Sequence, residues 1–295
     1  MSTQSPTWSK AIPGWLNATL ICGTFATLLW LEHRRPLRRP TERKLTRNMR
    51  NLAMVGLSAT AIWLTERPVA STLAQFVERE QWGLMQYLRL PTWLNVILSV
   101  TLLDYTLYLW HVLTHKVPVL WRFHRVHHAD LDLDASTALR FHCVEMMLSV
   151  PWRAVQVLAI GVAPLTLSLW QTATLLAILF HHSNVEIPLY IERWLCRFIV
   201  TPRMHGIHHS MIREEANANW STIFAFPDYL HRTRKLNVPQ QAVTIGVPAY
   251  RGPQEVTFAK IMAMPFGKQR PTWQFPGDGS PERSVLTGTP AYLAE

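Results

Sequence analysis

Long apolar blocks set the strongest limit on how this 295-residue chain can fold. A helix needs about 20 apolar residues to cross the roughly 30 Å hydrocarbon core of a bilayer. Segments 12–31, 51–64 and 93–110 approach that length, and 155–180 exceeds it but contains an interrupting glycine and proline. The sequence therefore predicts an all-α fold, an integral membrane helical bundle, in which 155–180 forms either two tilted helices or a re-entrant hairpin.

The charge distribution favours a membrane over a nucleic-acid partner. Charged residues make up 16% of the chain, where about 25% is usual for a soluble protein. The formal net charge of +10 is compatible with nucleic-acid binding, but the basic residues are concentrated in one place. Eight of the 29 lie between Arg34 and Arg50, directly after the first apolar block, which is the pattern of a cytoplasmic loop beside a span.

Three regions follow from this organisation. Residues 1–91 hold N-terminal membrane helices, the basic loop and, at 66–91, an amphipathic interfacial helix. Residues 92–245 form a second domain that carries the third span and the polar motifs. Residues 246–295 form a tail rich in proline and glycine, which is predicted to be loose from Pro265 onward. Either reading of the last apolar stretch leaves every histidine motif on the cytoplasmic side, as a histidine-rich helical cap.

Histidine is concentrated in one part of the sequence, since 11 of the 13 lie between His111 and His209. Side chains at i, i+3 and i+4 share a helix face, so HxxxH aims two imidazoles at one point and HxxHH aims three. Eight clustered histidines exceed the needs of one ion, so two metal ions are predicted. The clustered residues are His111 and His115 in WHVLTH, His124, His127 and His128 in FHRVHH, and His205, His208 and His209 in MHGIHH.

Isolated histidines are weaker candidates than the clusters. His182 in FHHSN and His142 in LRFHC are predicted to complete a metal shell or to hydrogen-bond a ligand. His181 fits these roles less well. His33 and His231 stand among basic residues and are interpreted as surface side chains.

Asp104 lies within the third predicted span, where an ionisable group is costly and usually functional. On a helix Asp104, Tyr108, His111 and His115 occupy one continuous face. Asp104 and Tyr108 are therefore predicted to serve catalysis, either beside the metal ligands or along a substrate channel. The alternative is a structural hydrogen bond from Asp104 to a neighbouring helix.

The acidic residues near the clusters are not predicted to bind metal. Asp130, Asp132 and Asp134 alternate with leucines and indicate a solvated loop or cap. Glu145 and Glu186 could contact the site, but they lack the Glu-x-x-His spacing of soluble di-iron bundles.

These motifs together resemble the fatty acid hydroxylase/sterol desaturase superfamily. The stretch DYTLYLWHVLTH, followed in order by FHRVHHAD, LRFHCVE, FHHSN and TPRMHGIHHS, carries the likeness, which covers residues 104–236. One departure is Cys143, because many members have proline after the histidine that corresponds to His142.

The resemblance implies a non-haem di-iron enzyme at the cytoplasmic membrane face. It would use O₂ to hydroxylate or desaturate a lipid dissolved in the bilayer, such as a fatty acyl or sterol-like substrate. The implied cofactors are two Fe²⁺ ions, with the eight clustered histidines and His182 as ligands. The sequence shows no fused haem-binding module, so electrons are expected from a separate electron-transfer protein.

Other classes of protein remain open at this point. A zinc-dependent membrane hydrolase would need a water-activating carboxylate, as in HExxH, which the sequence lacks. The main alternative is a histidine-rich membrane metal transporter, or a metal-binding protein without oxygenase activity. Transport favours ligands near the bilayer midplane, whereas these histidines cluster at span ends and in the segments between spans.

Overall fold

The computed structural model describes residues 11–277 and 279–282 of the chain. Every long element within these ranges is a helix, which confirms the predicted all-α class. The helices are α1 (Gly14–Arg34), α2 (Lys44–Ala61), α3 (Arg67–Glu80), α4 (Leu84–Tyr87), α5 (Thr92–Lys116), α6 (Pro118–His128), α7 (Cys143–Ile160), α8 (Pro164–His182), α9 (Leu189–Leu195), α10 (Pro202–His208), α11 (Arg213–Ala216), α12 (Phe226–Leu230) and α13 (Phe258–Ala263).

Four of these helices are long and apolar enough to cross a membrane, namely α1, α5, α7 and α8. Two of them, α1 and α5, confirm the predicted first and third spans. The stretch expected at 155–180 consists of two helices, and α7 begins at Cys143, well before the predicted start. Pro151 and Arg153 break the apolar pattern in the sequence, yet both lie inside this continuous helix.

The span predicted at 51–64 falls mostly within α2 and stays a prediction. Helix α2 begins at Lys44 and includes Arg47 and Arg50, so it is not among the helices apolar enough to cross a membrane. A π-helical segment, Ile62–Glu66, joins α2 to α3 without a break. The polar first turns of α2 therefore belong to the protein interior described below.

Helix α3 is the amphipathic helix expected within 66–91. It buries Ala70, Ala74 and Val77, which are spaced as one helical face. That face packs against α7 in a core that also contains residues of α5 and α8. The helix ends at Gln81, which adopts a left-handed conformation.

Two glycines allow the turn after α3 to approach the turn after α7. Gly83 and Gly161 have positive φ angles of 96° and 81°. A methyl group on Gly83 would overlap the Cα atom of Gly161, so neither position has room for a side chain. This close approach holds α3 and α4 against the base of α7.

Helix α5 brings the first histidine cluster to one end of a long span. It follows Pro91 and continues for 25 residues without glycine or proline. At 1.5 Å per residue it is about 37 Å long, which exceeds a hydrocarbon core of about 30 Å. Pro118 ends this helix and occupies the first turn of α6, where proline is favoured. His111 and His115 therefore lie directly before the second cluster.

The acidic segment after α6 is an internal ion-pair network, so the prediction of a solvated loop is wrong. Asp130, Asp132 and Asp134 are buried. Arg47 pairs with Asp130 at 3.2 Å and with Asp134 at 2.5 Å, and Arg50 pairs with Asp130 at 3.1 Å. Burial raises the pKa of Asp130, but the charges of the arginines, Arg47 first, hold it below its usual range. The network fixes the start of α2 to the end of α6.

The part of the C-terminal tail that the structure describes is anchored rather than loose. Tyr250 and Ile261 are buried in a core with residues of α2 and α6. Beyond Pro265, Gln269 accepts a hydrogen bond from Arg125 at 2.6 Å, and the Trp273 ring stacks on that of Trp121. The expectation missed these contacts because they depend on residues more than a hundred positions upstream. Residues 278 and 283–295 lie outside the described ranges.

Candidate metal centre

Nine histidines assemble into two adjacent groups where α5, α6, α8 and α10 end. Within each group the candidate ligand nitrogens lie within 4.8 Å of one another. The groups touch through His128 and His209, whose ring centroids are 4.3 Å apart. The first group contains His111, His115, His124, His128 and His208, and the second contains His127, His182, His205 and His209.

Each HxxHH motif contributes to both groups. On α6 the first and last histidines of the motif face the first group, and the middle one, His127, faces the second. On α10 the order is reversed, and only the middle histidine, His208, faces the first group. In each motif the two histidines four residues apart face one group and the middle histidine faces the other, so the prediction that HxxHH aims all three imidazoles at one point is wrong. Two short helices packed side by side can therefore build two sites.

Backbone carbonyl groups set the tautomer of several of these rings. A carbonyl oxygen can only accept, so the imidazole Nδ1 that bonds to it carries the proton and Nε2 keeps a free lone pair. Such a supporting hydrogen bond is usual for a histidine that binds metal. Three rings donate from Nδ1 at 2.8 Å: His111 to Trp220, His182 to Ile178 and His208 to Ala218.

The first group contains buried nitrogen atoms that have no hydrogen-bond partner among the described residues. They include Nε2 of His124, His128 and His208. Leaving such atoms unpaired in the protein interior costs free energy, and native proteins rarely do so. A metal ion bound by these lone pairs would remove that cost, so the residues fit an ion at this position.

The second group brings several Nε2 atoms within about 3 Å of one another. The Nε2 atoms of His127 and His205 each lie 3.0 Å from Nε2 of His182. Burial, followed by the charges of neighbouring histidines, lowers the pKa of both His127 and His205 well below the usual imidazole value. Both rings are therefore neutral at pH 7, which is the state that binds metal. This donor set fits a second ion.

Glu145 is a site residue that the sequence reasoning set aside. It lies in the first turn of α7, and its carboxylate accepts a hydrogen bond from Nδ1 of His124 at 2.7 Å. The contact orients the His124 ring and increases the basicity of its Nε2 atom. In the sequence, only the closeness of Glu145 to His142 pointed to a role at the site. No spacing motif identifies His124 as its partner.

Glu145→Gln is expected to weaken metal binding by about 10- to 100-fold, because it removes the charged acceptor behind His124. The shape of the side chain is retained, so the fold should persist. Competition with a graded chelator would measure the affinity of the purified protein. Glu214→Gln, at an exposed position, is the control and should leave affinity unchanged. Equal affinities in the two variants would contradict the role of Glu145.

Asp104 holds a loop and does not face either histidine group. Its carboxylate accepts hydrogen bonds from the backbone N–H groups of Ile223 and Phe224 at 3.1 and 3.0 Å. The same loop includes Trp220, whose carbonyl oxygen accepts the hydrogen bond from His111. Asp104 is therefore linked to the centre through the loop and not by direct contact.

Tyr108 lies against the same loop. Its hydroxyl group is 3.0 Å from Oγ1 of Thr233, and its ring packs against Trp220 and His231. The Trp220 ring in turn lies 6.1 Å from that of His115. Tyr108 thus belongs to an aromatic wall next to the first group.

His142 lies apart from both groups. Its Nδ1 atom accepts a hydrogen bond from the backbone N–H of Val144, which makes it the N-cap of α7. Its Nε2 atom bonds the carbonyl oxygen of Met262 at 3.3 Å. Both ring nitrogens are thereby engaged with backbone, and the structure brings His142 to neither of the candidate ions.

Of the other isolated histidines, one lies beside the centre and two lie on the surface. His181 is buried beside the second group, with its ring 4.1 Å from that of His205, and its Nδ1 atom bonds the carbonyl oxygen of Thr222. His33 and His231 are exposed, as the sequence suggested. His181 is therefore a neighbour of the centre, and the other two are not.

The fold and the site together define a helical protein with membrane-length apolar helices and a buried histidine centre. Residues 96–233 match the sequence model of the family described as fatty acid hydroxylase. This match confirms, for residues 96–233, the resemblance to the fatty acid hydroxylase/sterol desaturase superfamily inferred from the motifs.

Three similar proteins illustrate the relationship. An ornithine lipid hydroxylase of Rhizobium tropici is 30% identical over 184 residues, covering 61% of this chain and 52% of that protein. A cholesterol 25-hydroxylase of Mus musculus is 26% identical over 156 residues, covering 52% and 51%. An alkylglycerol monooxygenase of Homo sapiens is 27% identical over 142 residues, covering 48% and 30%. The matched region thus spans about half of these relatives or less. No solved structure matches the chain.

Proposed function

We propose that this protein is an O₂-dependent, di-iron membrane oxidoreductase that hydroxylates or desaturates a lipid. The observation that carries the proposal is the pair of buried histidine groups, each with its ligand nitrogens within 4.8 Å. The lipid-hydroxylase names of the relatives support the substrate class. The proposed ligands are the eight clustered histidines and His182.

The chain's own residues would orient and protect the reaction. When bound, the two irons would supply O₂ activation and the abstraction of hydrogen from an unactivated C–H bond. The hydrogen bonds from His111 and His208 to backbone carbonyls keep the Nε2 lone pairs directed at the ions. Asp104 positions the loop that supplies the Trp220 carbonyl. The aromatic wall of Tyr108 and Trp220 covers one side of the first group.

The location of the centre suits a lipid substrate. Three of the proposed ligands, His111, His115 and His182, lie near the ends of the membrane-length helices α5 and α8, so a lipid could reach the centre sideways from the bilayer. The basic loop after α1 supports a cytoplasmic position for this end of the bundle. Electrons would come from a separate electron-transfer protein.

Mass spectrometry of cellular lipids tests the proposal directly. Cells producing the chain should accumulate a lipid heavier by one oxygen atom or lighter by two hydrogen atoms. Cells producing the His205→Ala variant should lack that lipid, because His205 contacts two other histidines of the second group. An iron-loaded, folded protein that leaves every lipid unchanged would refute the proposed activity.

A further inference from the structure

A pocket of about 410 Å³ reaches His115 of the first histidine group. Its volume lies in the range of roughly 300–1,000 Å³ that is usual for small-molecule sites. A group bound there would be adjacent to the first histidine group. The described lining consists of His115, Lys116, Trp121, Arg213, Asn217, Pro271, Thr272, Trp273 and Gln274.

The pocket lies where a membrane-length helix ends. Lys116 is the last residue of α5, and the Trp121 ring is 4.9 Å from that of His115. The Trp273 ring stacks on Trp121 at 5.6 Å. Tryptophan is enriched at the level of lipid headgroups, as is lysine at the ends of spans. The opening is therefore at the depth where the polar end of a membrane lipid lies.

The positive charge of the pocket favours an anionic ligand over a neutral or cationic one. Lys116 and Arg213 are exposed cations on its wall, and the described lining includes no carboxylate. Arginine and lysine both bind phosphate and carboxylate groups through charge-assisted hydrogen bonds. The two tryptophan rings offer apolar surface for the carbon atoms next to such a group.

A larger cavity of about 900 Å³ lacks these properties. Its lining combines Arg38 and Lys44 with the carboxylates of Glu32, Asp132 and Asp134, so it carries charges of both signs. None of the proposed ligands lines it. In the smaller pocket, by contrast, Lys116 and Arg213 lie beside His115, and no carboxylate is among the described lining residues.

We propose that this pocket binds the anionic end, a phosphate or a carboxylate, of the lipid substrate, with Lys116 and Arg213 determining that preference. This inference rests on the proposed function, which makes the bound lipid a substrate, and it adds that the substrate is anionic. Anchoring the charged end here would hold a carbon atom close to that end near the histidine groups.

Calorimetric titration of the purified full-length protein in neutral-detergent micelles tests the pocket without turnover. The probes are hexyl phosphate, hexylamine and inorganic phosphate. Hexyl phosphate should bind most tightly, and added salt should weaken its binding. Replacing both Lys116 and Arg213 by glutamine should raise its Kd by about tenfold, since exposed charges contribute modestly each. Trp273→Ala should weaken the binding of hexyl phosphate more than the binding of inorganic phosphate.

A matched double variant, Lys260→Gln with Arg193→Gln, removes the same charge from exposed positions outside the pocket and should bind hexyl phosphate as the unmodified protein does. Equal Kd values for the two double variants would overturn the proposal. Inorganic phosphate binding as tightly as hexyl phosphate would identify a free-anion site and also overturn it. Selective binding without lipid oxidation would reject the enzyme function alone.

Discussion

Replacing His127 by alanine is expected to remove metal from the second histidine group and to lower lipid oxidation by more than about 100-fold. Its Nε2 atom lies 3.0 Å from that of His182, at the centre of that group. Loss of residues that only support a ligand already costs about 10- to 100-fold in metal affinity or activity, so loss of a ligand should cost more. Iron content per chain and product formation, measured on the same preparation, would check both effects.

His142→Ala is the matched control for this prediction. Both histidines are almost fully buried, 2% exposed for His127 and 1% for His142, and each packs against a phenylalanine ring. His142, however, bonds only backbone groups. Its removal should cost about 1 kcal/mol as a lost helix cap and should leave the iron content unchanged. Iron lost equally from both variants would contradict the assignment of ligands made here.

Replacing Arg47 by methionine is expected to destabilise the fold by about 3–5 kcal/mol, because it leaves buried carboxylates without their countercharge. Arg47 is nearly inaccessible and contacts Asp130 and Asp134 directly. For a chain of this size the midpoint of thermal unfolding should fall by about 10 °C. Unfolding in detergent micelles, followed by circular dichroism, measures the shift.

Arg79→Met provides the comparison for Arg47→Met. Arg79 pairs with Glu80 at 2.6 Å, but its side chain is 75% exposed. Exposed ion pairs contribute between about 0 and 1 kcal/mol, so this variant should unfold within about 2 °C of the unmodified protein. A similar fall in the unfolding midpoint of both variants would show that the buried ion pairs of Arg47 do not stabilise the fold more than an exposed pair does.

The histidine clusters could be predicted from the sequence because helix geometry alone brings i, i+3 and i+4 together. The division of nine histidines into two groups could not, since it depends on how α10 packs beside α6. His142 shows the same limit. Its sequence neighbourhood resembles a ligand motif, but its partners are Val144 and Met262, and the second of these lies 120 positions away.

Local hydropathy predicted some elements of the fold and not others. α1 and α5 are mostly apolar and were predictable, whereas α2, which contains most of 51–64, begins with turns that include Arg47 and Arg50. The alternation of Asp130, Asp132 and Asp134 with leucines has the period of a half-exposed segment. Its burial depends on Arg47, 83 residues before Asp130, and no local pattern reports so distant a partner.

The exchange of histidines between α6 and α10 has a consequence for how the two proposed sites would acquire metal ions. Because each motif serves both positions, filling one position aligns the helix that supplies the other. The first ion would therefore prepare the place of the second, and chains with a single ion should be scarce during loading. Such a protein would pass from metal-free to fully metal-loaded in nearly one step.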